Sequence, residues 1–114
     1  MATQNNKTVR WGVDVLKCEG DLSALEMTRM KGRMNRLLNR NHKKWVLDMG
    51  STQRVELAGI GILVDRLRHV RERKGDIKIC NLRPEVEKTL RMIGVGALIE
   101  SYSSEEEALR SFAA

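Results

Sequence analysis

The chain alternates short apolar runs with longer stretches in which apolar residues recur every three or four positions. "TVRWGVDVLKCEG" (Thr8–Gly20) alternates loosely and predicts one or two strands, with Gly12 a bend or bulge. In "GDLSALEMTRMKGRMNRLLNRN", Met27, Met30, Met34, Leu37 and Leu38 mark one face of a helix that either Asp21 or Ser23 could cap. Gly32 inside that helix costs about 1 kcal/mol relative to alanine, tolerable if a neighbour packs close there. "KWVLDMG" reads as a buried strand. A loop, "GSTQRVE", leads to a second helical stripe: Ile60, Leu63, Val64, Leu67 and Val70. Asp65, Arg66, Arg68, Arg71, Glu72 and Arg73 take the opposite face, Ile62 falls off the stripe, either exposed or packed at its edge, and Gly75 is expected to close the helix as a left-handed cap.

The remainder repeats the theme. "DIKICNL" predicts a strand. "RPEVEKTLRMIG" predicts a short helix with Pro84 in its first turn and Glu85 and Glu87 at the positive end of its dipole. "ALIESY" predicts a last short strand and "SSEEEALRSF" a last helix capped by Ser103 or Ser104. The order β(β)α, βα, βα, βα implies a single α/β domain with a mostly parallel sheet of four to five strands and about four helices. Residues 1–8 are expected to be a flexible leading segment. Loops 19–23, 49–59 and 81–84 should share the edge beyond the carboxyl ends of the strands, where ligands gather in such sheets.

Composition narrows the function. The 114 residues carry 41% apolar and 32% charged side chains, as an ordinary folded domain does. No apolar run reaches the roughly 18 residues of a membrane span, and the first residues lack an apolar signal core, so a cytoplasmic protein away from membranes is expected. Residues 1–57 hold eleven Lys/Arg against six Asp/Glu, whereas 58–114 hold ten against nine. Arg29, Arg33, Arg36 and Arg40 share a helical face, which raises a nucleic-acid reading. Against it, aromatic content is 4% and no zinc-finger, RNP or helix-turn-helix signature occurs. The solvated outer face of a helix is the simpler account.

Chemistry is sparse. Cys18 and Cys80, 62 positions apart in apolar runs, read as buried reduced thiols. No metal-ligand spacing, Walker loop or full dinucleotide fingerprint appears, "GIG" at Gly59–Gly61 being too short. His42 and His69 have no nucleophile near in sequence, and Glu56 has no second catalytic group beside it. No catalytic, cofactor or metal residue is assigned, and an enzyme is not expected.

Taken together, "CEGDLS", "WVLDMGSTQRVELAGIGILV", "GDIKICNLRPEVEKTLRMIGV" and "SSEEEAL" resemble, in order and spacing, the STAS family of bacterial anti-sigma factor antagonists. The resemblance runs from about Val9 to Phe112. It implies a partner-switching module that binds an anti-sigma, serine-kinase-like protein and is released when the second serine of an Asp-Ser-Ser-Gly motif is phosphorylated. Here the motif's Asp matches Glu56, its first Ser Leu57, its acceptor Ser Ala58, and the following Gly-Leu-Gly Gly59, Ile60 and Gly61. Alanine cannot accept a phosphoryl group, so the site is degenerate at Ala58. The expected docking residues are Asp21, Ser23, Arg54, Glu56, Leu57, Ala58, Gly59, Ile60, Ile62 and Arg66. Ser51 and Thr52 are alternative acceptors, although turn and capping roles are the ordinary reading for both. A monomer or weak homodimer is expected. The alternatives are nucleic-acid association through the arginine face and small-ligand sensing at the strand-end edge.

Overall fold

The computed structural model describes residues 7–113, with side chains from Arg10 onward. Most of the leading segment expected to be flexible lies outside the described residues, while Lys7 and Thr8 pair in the first strand. The elements are β1 (Lys7–Arg10), β2 (Val13–Lys17), α1 (Ala24–Asn39), β3 (Lys44–Asp48), α2 (Leu57–Glu72), β4 (Asp76–Cys80), α3 (Pro84–Ile93), β5 (Ser101–Tyr102) and α4 (Glu105–Ser111). The loose alternation of residues 8–20 resolves into a hairpin. Trp11 and Gly12 both take positive φ (58° and 75°), as a two-residue turn between strands of right-handed twist requires.

The sheet runs in chain order, β1-β2-β3-β4-β5, with β1 antiparallel to β2 and the other neighbours parallel. Each parallel step moves to the next strand, so right-handed crossovers put α1, α2 and α3 on one face. Strand alternation serves both faces. Leu16, Trp45, Leu47, Ile77 and Ile79 meet the methionine stripe of α1 and the stripes of α2 and α3 in the larger core. Val13, Val15, Val46 and Cys80 meet Ala108 and Leu109 of α4 on the other face. Both faces are covered, which is why "WVL" of β3 is buried throughout.

Polar anchors fix the smaller layer. The buried Lys78 ammonium donates to Ser111 Oγ at 2.8 Å, lies 3.3 Å from a Glu100 carboxylate oxygen, and sits 4.3 Å from the Phe112 ring centre. These contacts supply the partners a buried ammonium needs. Asp14 is wholly buried; one carboxylate oxygen meets His42 Nδ1 at 2.9 Å, and the other has no hydrogen-bond partner.

Two local expectations change, and two open points close. The last strand is only two residues long, with Ala97–Ile99 outside it. A side chain at Gly32 would meet nothing nearer than Arg36 Nη1 at 3.6 Å, so close packing does not explain that glycine. Ile62 is half-buried, packed at the edge of the larger core. At the end of α2 the left-handed residue is Lys74 (φ 66°) rather than Gly75. Gly75 is needed for space: a Cβ there would lie 1.9 Å from the Lys43 carbonyl oxygen. That carbonyl accepts the Asp76 N–H at 2.9 Å as β4 begins. Gly75→Ala must therefore push β4 off β3. A loss of about 1–3 kcal/mol is expected, seen as a lower urea midpoint with an unchanged denaturant slope.

Candidate functional site

The ends of β2 and β3 feed two loops that meet each other before either enters its helix. Leu22 and Val55 form a parallel bridge: Leu22 N–H donates to Arg54 O at 3.0 Å, and Glu56 N–H donates to Leu22 O at 2.9 Å. Asp21 Oδ1 accepts the N–H groups of Gln53 (3.2 Å) and Arg54 (3.1 Å). Asp21 thus ties the loops together, and Ser23, accepting Glu26 N–H at 3.1 Å, caps α1. The third loop joins through Arg83 Nε, which donates to Gly50 O at 3.2 Å, and Asn81 Nδ2, which donates to Asp48 Oδ1 at 3.2 Å. All three loops share one edge, as the alternation implies.

Gly59 sets how closely α2 approaches. A Cβ at that position would stand 2.6 Å from Leu22 O and 2.9 Å from the Ser23 carbonyl carbon and oxygen. The first turn of α2 rests directly on the backbone that starts α1. Glu56 is the N-cap residue of α2 but makes no side-chain capping bond, and it is exposed. Leu57 is 72% exposed, and Ala58 is exposed beside it.

The ten expected docking residues divide. Asp21, Ser23, Arg54, Glu56, Leu57, Ala58 and Gly59 come together at this edge. Ile60 faces the core, and Ile62 is packed against it. Arg66 stands elsewhere: it is 6% exposed, wedged between α1 and α2, donating to Asn35 Oδ1 and to Asp65 Oδ2. It serves helix packing rather than a partner. Sequence reasoning missed Leu25, 82% exposed in the first turn of α1. Its signal was readable: an apolar residue two places before Met27 falls off the methionine stripe.

Thr52 and the two thiols are committed to structure. Thr52 is buried and donates to Gly20 O at 2.8 Å, which hides its hydroxyl, whereas Ser51 is exposed. Burial pushes the Cys18 thiol up, and pushes Cys80 up to about 12, so both stay protonated. Among the described residues no group of three His, Cys, Asp or Glu side chains is placed to hold a metal ion. No helix among them is long and apolar enough to cross a membrane. The arginine face is partly spent as well. Arg29 is bonded to Glu26 and lies 3.9 Å from Glu19, and Arg33 is half-buried.

A family model for the STAS domain matches residues 4–108. The chain belongs to the STAS domain family. This STAS domain is 23% identical over 99 residues to an anti-sigma F factor antagonist of Paenibacillus polymyxa, covering 86% of this chain and 85% of that one. It shares its fold with a sulfate transporter family protein of Wolinella succinogenes (TM-score 0.81, 17% identity, 92% of this chain and 88% of that one). The phosphorylated form of the Bacillus cell-fate determinant SpoIIAA also shares it (TM-score 0.70, 17% identity, 92% of this chain and 95% of that one). The STAS domain here is thus antagonist-like in fold and in sequence.

One carboxylate at the edge carries a pH signature. Burial alone would raise the Glu26 carboxyl, but hydrogen bonds from the Arg29 side chain and the Glu19 N–H outweigh it and hold it below its ordinary 4.5. A lowered folded-state value stabilises the STAS domain above the unfolded-state value, and the benefit is lost as pH falls through the folded value. Acid titration of stability, followed by circular dichroism, should therefore show a descending limb below pH 4.5. In Glu26→Gln that limb should flatten, with lower stability at neutral pH.

Proposed function

We propose that this STAS domain is a non-enzymatic docking module that binds an anti-sigma factor or related serine-kinase-like protein without the family's phosphorylation control. One observation carries the reading. The first turn of α2 presents Leu57 and Ala58 to solvent, where the family motif places two serines, the second being the acceptor. The names of the similar proteins, an anti-sigma F factor antagonist among them, support the partner class.

The physical argument concerns what a phosphate would have done. It would add about −1.5 to −2 charges at a docking surface. With Ala58 no hydroxyl exists to carry it. The exposed start of α2 at Leu57 and Ala58 stays uncharged, and its apolar character rises because Leu57 and Leu25 stand exposed in the first turns of two helices whose starts meet at Gly59. Apolar anchors fixed on helix ends, surrounded by Asp21, Arg54 and Glu56, make a small hydrophobic centre with a polar rim, the common anatomy of a binding surface. The buried Thr52 offers no accessible hydroxyl in its place. Control then falls to abundance, to a competing partner or to a different site, the exposed Ser51 hydroxyl being one.

Leu25→Asp and Leu57→Asp test the surface. Each should change stability by no more than about 0.5 kcal/mol, as surface substitutions usually do. Each should weaken binding of a kinase-type anti-sigma protein recovered from lysate by about tenfold or more, measured by titration calorimetry. Ala58→Ser should be phosphorylated by that partner with ATP, and the phosphorylated form should dissociate. Undiminished binding by both aspartate variants, or an Ala58→Ser protein that takes no phosphate from a bound kinase-type partner, would sink the reading.

A further inference from the structure

The opposite end of the sheet is built differently. Because β5 is two residues long, it pairs only with Ile79 and Cys80. Before it, the chain arches from α3 as the 94–99 loop instead of lying along the sheet. Beneath this arch is a cavity of about 310 Å³, lined by Ile79 of β4, Leu82 and Leu90, with Val95 and Ile99 of the arch also facing it. The arch is also held open. Val95 N–H (3.0 Å) and Gly96 N–H (3.2 Å) both donate to Leu90 O, and Leu98 N–H donates to Val95 O at 2.8 Å. Arg71 Nη2 reaches from α2 to accept no less fixed a role, donating to Leu98 O at 2.7 Å while its Nε holds Asp76 at 2.9 Å.

The chemistry of the walls selects an occupant. The interior is apolar, and three polar side chains line the same cavity: Glu87, Arg91 and Ser101. Glu87 and Arg91 face each other at 3.9 Å as an exposed pair, too long for a firm hydrogen bond and easily rearranged. An anionic head would be drawn to Arg91 and repelled by Glu87, and a cationic head would meet the reverse. A neutral amide satisfies both, its carbonyl accepting from Arg91 and its N–H donating to Glu87. At about 30 Å³ per water-sized group, the volume holds about ten heavy atoms.

We propose that this cavity is a binding site for a small neutral amphiphile, an apolar acyl or aryl body bearing an amide head. Apolar walls with a few convergent polar groups are the usual form of a small-molecule site. Leu82 belongs to the third loop of the strand-end edge, but no lining residue belongs to α1 or α2 and none is among the expected docking residues, so the site stands whether or not the docking reading does.

Octanamide, octanoate and octylammonium, titrated into the intact protein by calorimetry and amide chemical-shift mapping, form the test. Octanamide should saturate a single site, with shifts centred on residues 79–101, and should bind about tenfold more tightly than either ion, each of which leaves one mouth group unpaired. Ala97→Phe, filling the cavity, should abolish binding. Glu87→Gln should shift preference toward octanoate and Arg91→Gln toward octylammonium, which keeps the test decisive if Ala97→Phe misfolds. No saturable octanamide binding, shifts centred on α1 and α2, equal affinity for all three probes, or preferences unmoved by both charge variants would overturn the proposal.

Discussion

The contact of the first turn of α2 with the Leu22–Ser23 backbone is the constraint on which the functional edge depends. It exists because position 59 has no Cβ: any side chain would sit 2.6 Å from Leu22 O. The same two residues begin α1, through the Ser23 cap, and bridge the second loop, through Leu22 and Val55. One short piece of backbone therefore positions two helix starts. Leu25 and Leu57 inherit a fixed relation from it. A surface ordered in advance loses less freedom on binding than a mobile loop would.

The two ends of the sheet contrast in packing. At the α1–α2 end, backbone meets backbone, Arg66 fills the space between helices, and Asp21 is consumed in joining loops. The starts of the two helices are packed directly against each other's backbone. At the α3 end the sheet stops early, the 94–99 arch spans the gap, and a concave apolar space remains. The short β5 thus accounts for the difference between a packed helix-start edge and an arched, apolar-lined cavity.

Charge follows a similar division. The arginine face of α1 looks like a nucleic-acid footprint when written as a sequence. In the fold, Glu26 turns inward to accept the Glu19 N–H and binds Arg29 with its remaining capacity, and Arg33 lies half-buried. An arginine already engaged by a carboxylate has less charge to offer to phosphates. The buried Lys78, by contrast, ties α4 to the sheet through Ser111 and the adjoining Phe112, with Glu100 beside β5 as its counter-charge.

Periodicity alone determined the order of elements and the two-faced core, because alternation by two and recurrence by three or four are read directly by strands and helices. It also placed the three loops on one edge; that Ala58 stands where the family motif has its acceptor serine came from the resemblance of the motif, not from periodicity. Only the tertiary structure decided which polar residues were free. Arg66 has a surface residue's sequence context, yet Asn35, 31 positions away, draws it between two helices. Thr52 reads as a loop hydroxyl until the Gly20 carbonyl, 32 positions away, accepts its hydrogen bond. Gly75 reads as a cap until Lys43, a neighbour only in space, forbids a side chain there. In each case the deciding partner is distant in sequence, so local pattern carries no trace of it. The same holds for the cavity, which arises from where a strand stops pairing rather than from any residue that announces it.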